Sequence, residues 1–112
     1  MQIRELTLKE LDVAWEIVGQ FYTHLNYDEF EDLIYEMRDI NYTMIGVFEQ
    51  EKLVAYAGVA ISINLVDKRH LFVYEIIVKQ KIDEQEKYKN FLISYLEDYA
   101  KMGACEKVVF SK

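Results

Sequence analysis

The chain has 112 residues, 52% of them hydrophobic, with four glycines, no proline, one cysteine and a formal charge of −7. That length admits a single domain, and the apolar content argues against disorder. The acidic balance disfavours nucleic acid and anionic lipid as partners, no apolar run approaches the about 20 residues of a bilayer span, and Cys105 alone can form neither an internal disulfide nor a zinc cluster of cysteine pairs. The N-terminus, Met1 to Leu6, is too short and too charged for a secretory signal, so a cytoplasmic protein is expected. Without Pro/Gly-rich stretches there is no phosphate-cradling loop of the Walker or dinucleotide type.

In chain order, Gln2 to Leu6 alternates as a short strand. Thr7 and Glu10 have the spacing of a capping box. Leu8, Leu11, Ala14, Trp15 and Val18 then fall on one face of a helix running from about Leu8 to Tyr22. Asn26 and Glu29 repeat the cap before a second helix. Its apolar face is Phe30, Leu33, Ile34 and Met37, and it should stop near Asp39 to Asn41. From Tyr42 the period changes. Tyr42 to Phe48 reads as a strand and Glu49 to Lys52 as a turn. Leu53 to Ile63 reads as a long strand with Leu53, Ala55, Ala57, Val59, Ile61 and Ile63 on one face. Asn64 to Arg69 makes a second turn before the apolar strand His70 to Val78. Two tight connections in a row imply an antiparallel meander. Asp83-Glu84-Gln85-Glu86 then opens a helix with Tyr88, Leu92, Tyr95, Leu96 and Tyr99 on one face and Gly103 as its C′ residue. Cys105 to Phe110 is a last strand, and a crossover helix favours a parallel pairing with His70–Val78. The order is β-α-α-β-β-β-α-β, an α/β (α+β) mixed sheet.

The stretches HLFVYEIIV (70–78) and YLEDYAKMGACEKVVFS (95–111) resemble the central strand, following helix, glycine turn and next strand of the GCN5-related N-acetyltransferase (GNAT) superfamily. Residues 1–69 match it in element order. The resemblance implies one GNAT-like domain over residues 1–112, short of the family's C-terminal helix and last two strands. It also implies acetyl-CoA as cofactor, held along the backbone of Ile76, Ile77 and Val78 and at the loop and helix start Gln85, Glu86, Lys87, Tyr88 and Lys89, where a helix N-terminus binds pyrophosphate. In the family that loop reads Arg/Gln-x-x-Gly-x-Gly/Ala. Here the corresponding positions are Asp83, Glu84, Glu86 and Tyr88, so the glycines are missing. An Asp83–Glu86 capping box would satisfy the helix with its own carboxylates where a polyanion should bind. Lys81, Lys87 and Lys89 oppose that effect.

Glu75 lies mid-strand in an apolar run, where an unpaired carboxylate is costly to bury. The resemblance gives it the role of catalytic base toward a primary amine. His24 and His70 read as solvated turn residues, without neighbours at metal-ligand spacing. Cys105 reads as a small buried hydrophobe, Trp15 as the anchor of the first helix on the sheet, and the acids Asp28, Glu29, Glu31, Asp32 and Glu36 as a solvated helix face. Two functional readings stay open. One is an N-acetyltransferase moving acetyl from acetyl-CoA to an amine. The other is a GNAT-fold binding module that has lost the cofactor and works through a homodimer or protein partner at its C-terminal edge strand.

Overall fold

The computed structural model of the chain describes residues 1–79 and 84–111. Five strands form one sheet in the order β1 (Gln2–Glu5), β2 (Thr43–Glu49), β3 (Lys52–Asn64), β4 (Lys68–Val78) and β5 (Lys107–Phe110). The first four pair antiparallel and β4 pairs with β5 in parallel. Helices α1 (Leu11–Phe21) and α2 (Tyr27–Met37) cover one face, and α3 (Gln85–Met102) covers the other. The expected element order and the mixed sheet are borne out.

Local chemistry sets the boundaries. Before α1 the chain makes a 3-10 turn at Leu8–Glu10, and Glu10 accepts the Thr7 N–H at 3.0 Å. The α2 capping box forms in full: Asn26 Oδ1 accepts the Glu29 N–H at 2.8 Å, and Glu29 Oε1 accepts the Asn26 N–H at 3.1 Å. The chain leaves the helical region at Asn41, in the left-handed conformation (φ 67°) that asparagine tolerates. Gln50 and Glu51, both with positive φ, make the tight β2–β3 turn.

The sheet has two cores. Leu6, Leu11, Ile17, Phe30, Met44 and Tyr56 pack under α1 and α2. Ile45, Val59, Leu71, Val73, Leu92 and Leu96 pack under α3. Several expectations need correcting. Leu53 does not share a face with Ala55 to Ile61. A bulge opposite Val47/Phe48 inserts Val54 as an extra residue and turns Leu53 toward α1. His70 is buried, not solvated, with Nδ1 2.9 Å from the Lys68 carbonyl oxygen. Trp15 locks α1 to α2, its ring 5.2 Å from Phe30 and 6.2 Å from Tyr27. Gly103 has an ordinary φ of −86°, and the left-handed residue is Ala104. Gly103 instead gives α3 clearance, because a β-carbon there would lie 2.8 Å from Ile61 Cδ1. Cys105 is half-buried.

Candidate functional site

Strand β4 carries an irregularity at the point where its chemistry is concentrated. Gly58 of β3 pairs with Glu75, yet Val59 pairs with Val73, so Tyr74 is an extra residue on β4. A bulge of this kind re-aims side chains. Below it, Leu71 and Val73 point into the α3 core. Above it, Glu75 points to the face of α1 and α2, where its carboxylate meets the hydroxyls of two tyrosines.

Tyr22, the residue that ends α1, donates its hydroxyl to Glu75 Oε1 at 2.8 Å. Tyr42, just before β2, donates to Glu75 Oε2 at 2.7 Å, and its oxygen is also 2.7 Å from the hydroxyl of Tyr56 on β3. The chain Tyr56–Tyr42–Glu75–Tyr22 is therefore a connected network around one carboxylate. Gly58 makes room for it. A β-carbon on Gly58 would collide with Glu75 Oε2 and with the Tyr42 hydroxyl, so the glycine serves close approach and not backbone freedom.

Burial pushes the Glu75 carboxyl above its ordinary value, and the hydrogen bonds from Tyr42 and Tyr22 pull the other way. Burial likewise raises the phenols of Tyr22, Tyr42 and Tyr56, with the charge of Glu75 adding to each shift. The phenols are thus fixed as donors, while Glu75 is a carboxyl whose proton affinity has been raised.

Tyr22, Tyr42 and Glu75 of this network form one wall of a cavity of about 360 Å³. Its other walls are mainly apolar, from Val18, Leu25, Phe30, Leu33, Ile34 and Met37. Tyr74, His24 and Ser111 complete it. The Ser111 N–H donates to the Val73 carbonyl at 2.9 Å, so the cavity lies where the chain leaving β5 parts from β4.

That parting opens the edge of β4. Among the described residues, β5 pairs with β4 only over His70–Val73. The Lys79 N–H donates to the Val54 carbonyl at 2.9 Å, and Ile77 lies opposite Tyr56. The alternation of an antiparallel pair then turns the backbone groups of Ile77 toward β3 and those of Ile76 and Val78 outward. The Ile77 side chain is buried under α1 and α2.

At the start of α3 the N-cap position belongs to Glu84, and its side chain makes no capping hydrogen bond. It lies in the left-handed conformation (φ 68°), with Oε2 3.4 Å from Lys87 Nζ. Asp83, the first residue of the expected Asp83–Glu86 box, and Lys81 lie outside the described residues. Gln85 Nε2 donates to the Lys79 carbonyl at 3.0 Å. Glu86, Lys87 and Lys89 are exposed. Tyr88 is buried under α3, and its hydroxyl donates to Glu49 Oε2 at 3.1 Å. Among the described residues no group of His, Cys, Asp and Glu is arranged to hold a metal ion, and no helix is long and apolar enough to cross a membrane.

Of the residues singled out in the sequence, Glu75 is joined to a site, and Ile76 and Val78 lie beside it on the same strand. Tyr22, Tyr42, Tyr56 and Gly58 were not anticipated. The tyrosines lie 53, 33 and 19 positions from Glu75 in sequence, and no local pattern links them. Gly58 did carry a signal, since a glycine inside a strand marks a close approach or a bulge.

No protein-family model and no curated protein matches this sequence. Solved structures do match it in shape. A ribosomal-protein-alanine N-acetyltransferase from Brucella melitensis biovar Abortus 2308 superposes with a TM-score of 0.82 at 18% identity, covering 100% of this chain and 80% of that one. An aminoglycoside antibiotic 6'-N-acetyltransferase from Acinetobacter haemolyticus gives 0.83 at 14% identity, over 100% and 79%. An aminoglycoside N-acetyltransferase solved in complex with CoA gives 0.82 at 14%, over 99% and 76%. The chain has the fold of the GNAT acetyltransferases.

Proposed function

We propose that the chain is an N-acetyltransferase that uses acetyl-CoA and a primary amine, with Glu75 as its base. The observation that carries this reading is the Glu75 carboxylate, gripped by two phenols at a strand bulge and lining an apolar cavity. A carboxyl with raised proton affinity suits the removal of a proton from an ammonium group. Tyr22 and Tyr42 position it, and the apolar walls lower the polarity around the group that accepts the proton.

The outward backbone groups of Ile76 and Val78 fit a cofactor that binds as an added strand. The α3 N-terminus fits a phosphate in one respect and opposes it in another. Its first N–H groups receive no side-chain cap from Glu84, and Lys87 is at hand, but Glu84 and Glu86 bring negative charge. Ile76, Val78, Gln85, Lys87 and Lys89 are the residues that would hold acetyl-CoA, through backbone groups and, for the lysines, charge. When bound, it would supply an acetyl group activated as a thioester. Release of free thiol from acetyl-CoA in the presence of amine tests the reading. It should be measurable for the wild type and fall about 100-fold or more in Glu75→Gln, the ordinary range for loss of a general base.

A second reading, a partner-binding module, is favoured by β5. Among the described residues it is one of the two edges of the sheet, and a cavity of about 370 Å³ lined by Ile93, Glu97, Cys105, Val108 and Phe110 lies beside it. Light scattering at high concentration tests its homodimer form, which a pure monomer would contradict.

A further inference from the structure

We infer that the Glu75 cavity takes a small primary amine carried on an apolar or aromatic body, in preference to a polyhydroxylated amine. The inference rests on the reading of this cavity as the amine side of the site.

Among the described residues the cavity is lined by one carboxylate and one imidazole, His24, and by no lysine, arginine or second acid. A carboxylate has about four acceptor positions, and the two phenols use one on each oxygen. Acceptor capacity therefore remains for an ammonium group. The rings of Tyr42 and Tyr74, 5.5 Å apart, stand beside it and add faces that attract a cation. Away from Glu75 the walls offer mainly methyl, methylene and phenyl groups, with His24 and Ser111 as the polar exceptions. The polar groups nearest the carboxylate are already engaged with one another, since Tyr22 and Tyr42 donate to Glu75 and Tyr42 is bonded to Tyr56. Several ligand hydroxyls would be stripped of water and left with few partners, which a site built this way penalises. An alkyl or aryl body would instead gain by leaving water. The volume of about 360 Å³ is at the small end of the roughly 300–1,000 Å³ range of ligand cavities, which suits a compact amine.

The test is binding to wild-type protein without any acyl donor, followed by NMR with phenethylamine, phenethyl alcohol and glucosamine. Phenethylamine should saturate with shifts centred on Tyr22, Tyr42 and Glu75, and the other two should bind about tenfold more weakly or worse, a difference of about 1.4 kcal/mol. Glu75→Gln should bring phenethylamine down to the level of the alcohol. If glucosamine or the neutral alcohol binds as tightly as phenethylamine, or if none of the three binds, the inference is overturned. The wild-type comparison stands even if the variant fails to fold. Acetyl-CoA is titrated separately. Amine binding without a response to acetyl-CoA would leave this inference intact and remove the acetyltransferase reading. A response to acetyl-CoA without selectivity among the amines would do the reverse.

Discussion

Replacing Gly58 by alanine adds one methyl group at the point where the site is tightest. The new β-carbon would overlap both Glu75 Oε2 and the Tyr42 hydroxyl. The carboxylate can swing away, but Tyr42 is held by its ring and by Tyr56, so the 2.7 Å bond between Tyr42 and Glu75 must break or stretch. Overpacking costs about 1–3 kcal/mol, and a hydrogen bond to a charged group contributes about 1.5–3 kcal/mol. Alanine is favoured over glycine in a strand by about 0.5–1 kcal/mol, which offsets part of the loss. The net expectation is a destabilisation of about 2–4 kcal/mol. With an unfolding entropy of about 2.1 cal/mol/K per residue over 112 residues, each kcal/mol moves the midpoint by about 4 °C. Thermal unfolding followed by circular dichroism should therefore show Tm lower by about 8–16 °C. The Glu75 carboxyl carbon should also move in the NMR spectrum. A midpoint within about 2 °C of wild type, with the Glu75 resonance unchanged, would refute the packing of carboxylate and phenol over Gly58.

Three further outcomes are expected. Burial raises the Glu75 carboxyl above its usual 4.5, so its contribution to stability is full below that value and is lost as pH rises through its folded value. Glu75→Gln should abolish that loss, and its stability relative to wild type, from urea unfolding at a series of pH values, should improve as pH rises above 4.5. Glu10 behaves oppositely: the Arg4 guanidinium and the Thr7 N–H hold its carboxyl down at about 2. Its contribution is present above the usual 4.5 and lost as pH falls toward about 2, so Glu10→Gln should flatten the acid limb of the same profile, by less than about 1 kcal/mol because the pair is partly exposed. Glu84→Gly places glycine at φ 68°, relieves a left-handed side-chain cost of about 1–2 kcal/mol, part of which unfolded-state entropy takes back, and removes a charge at the start of α3. It should leave Tm equal or higher and tighten acetyl-CoA binding by calorimetry.

The fold was legible in the sequence because its signals are local. The Asn26–Glu29 cap, the alternation of β3 and the stop at Asn41 each lie within a few residues of the structure they specify. The errors came where one residue changes the phase of a strand. Val54 reverses the face of Leu53, and Tyr74 carries Glu75 to the α1 and α2 side. Neither bulge shows as a break in hydrophobicity, since both residues are apolar or aromatic themselves. For the same reason Glu75 could be picked out as a carboxylate in an apolar strand but not given its partners. Those partners are phenols from the end of α1, the approach to β2 and the middle of β3, brought together only when the sheet closes. At the start of α3, the missing glycines were plain to read, whereas the position of the cap at Glu84 depends on a left-handed residue that no sequence rule demands of glutamate.

Acetyl-CoA is proposed to bind along the open edge of β4 and at the start of α3. Backbone amide NMR during titration with acetyl-CoA tests it most directly. Saturable shifts at Ile76 and Val78, larger than at the inward-bonded Ile77, together with shifts from Gln85 to Lys89, are the predicted result. Amide spectra unchanged at millimolar acetyl-CoA would contradict it.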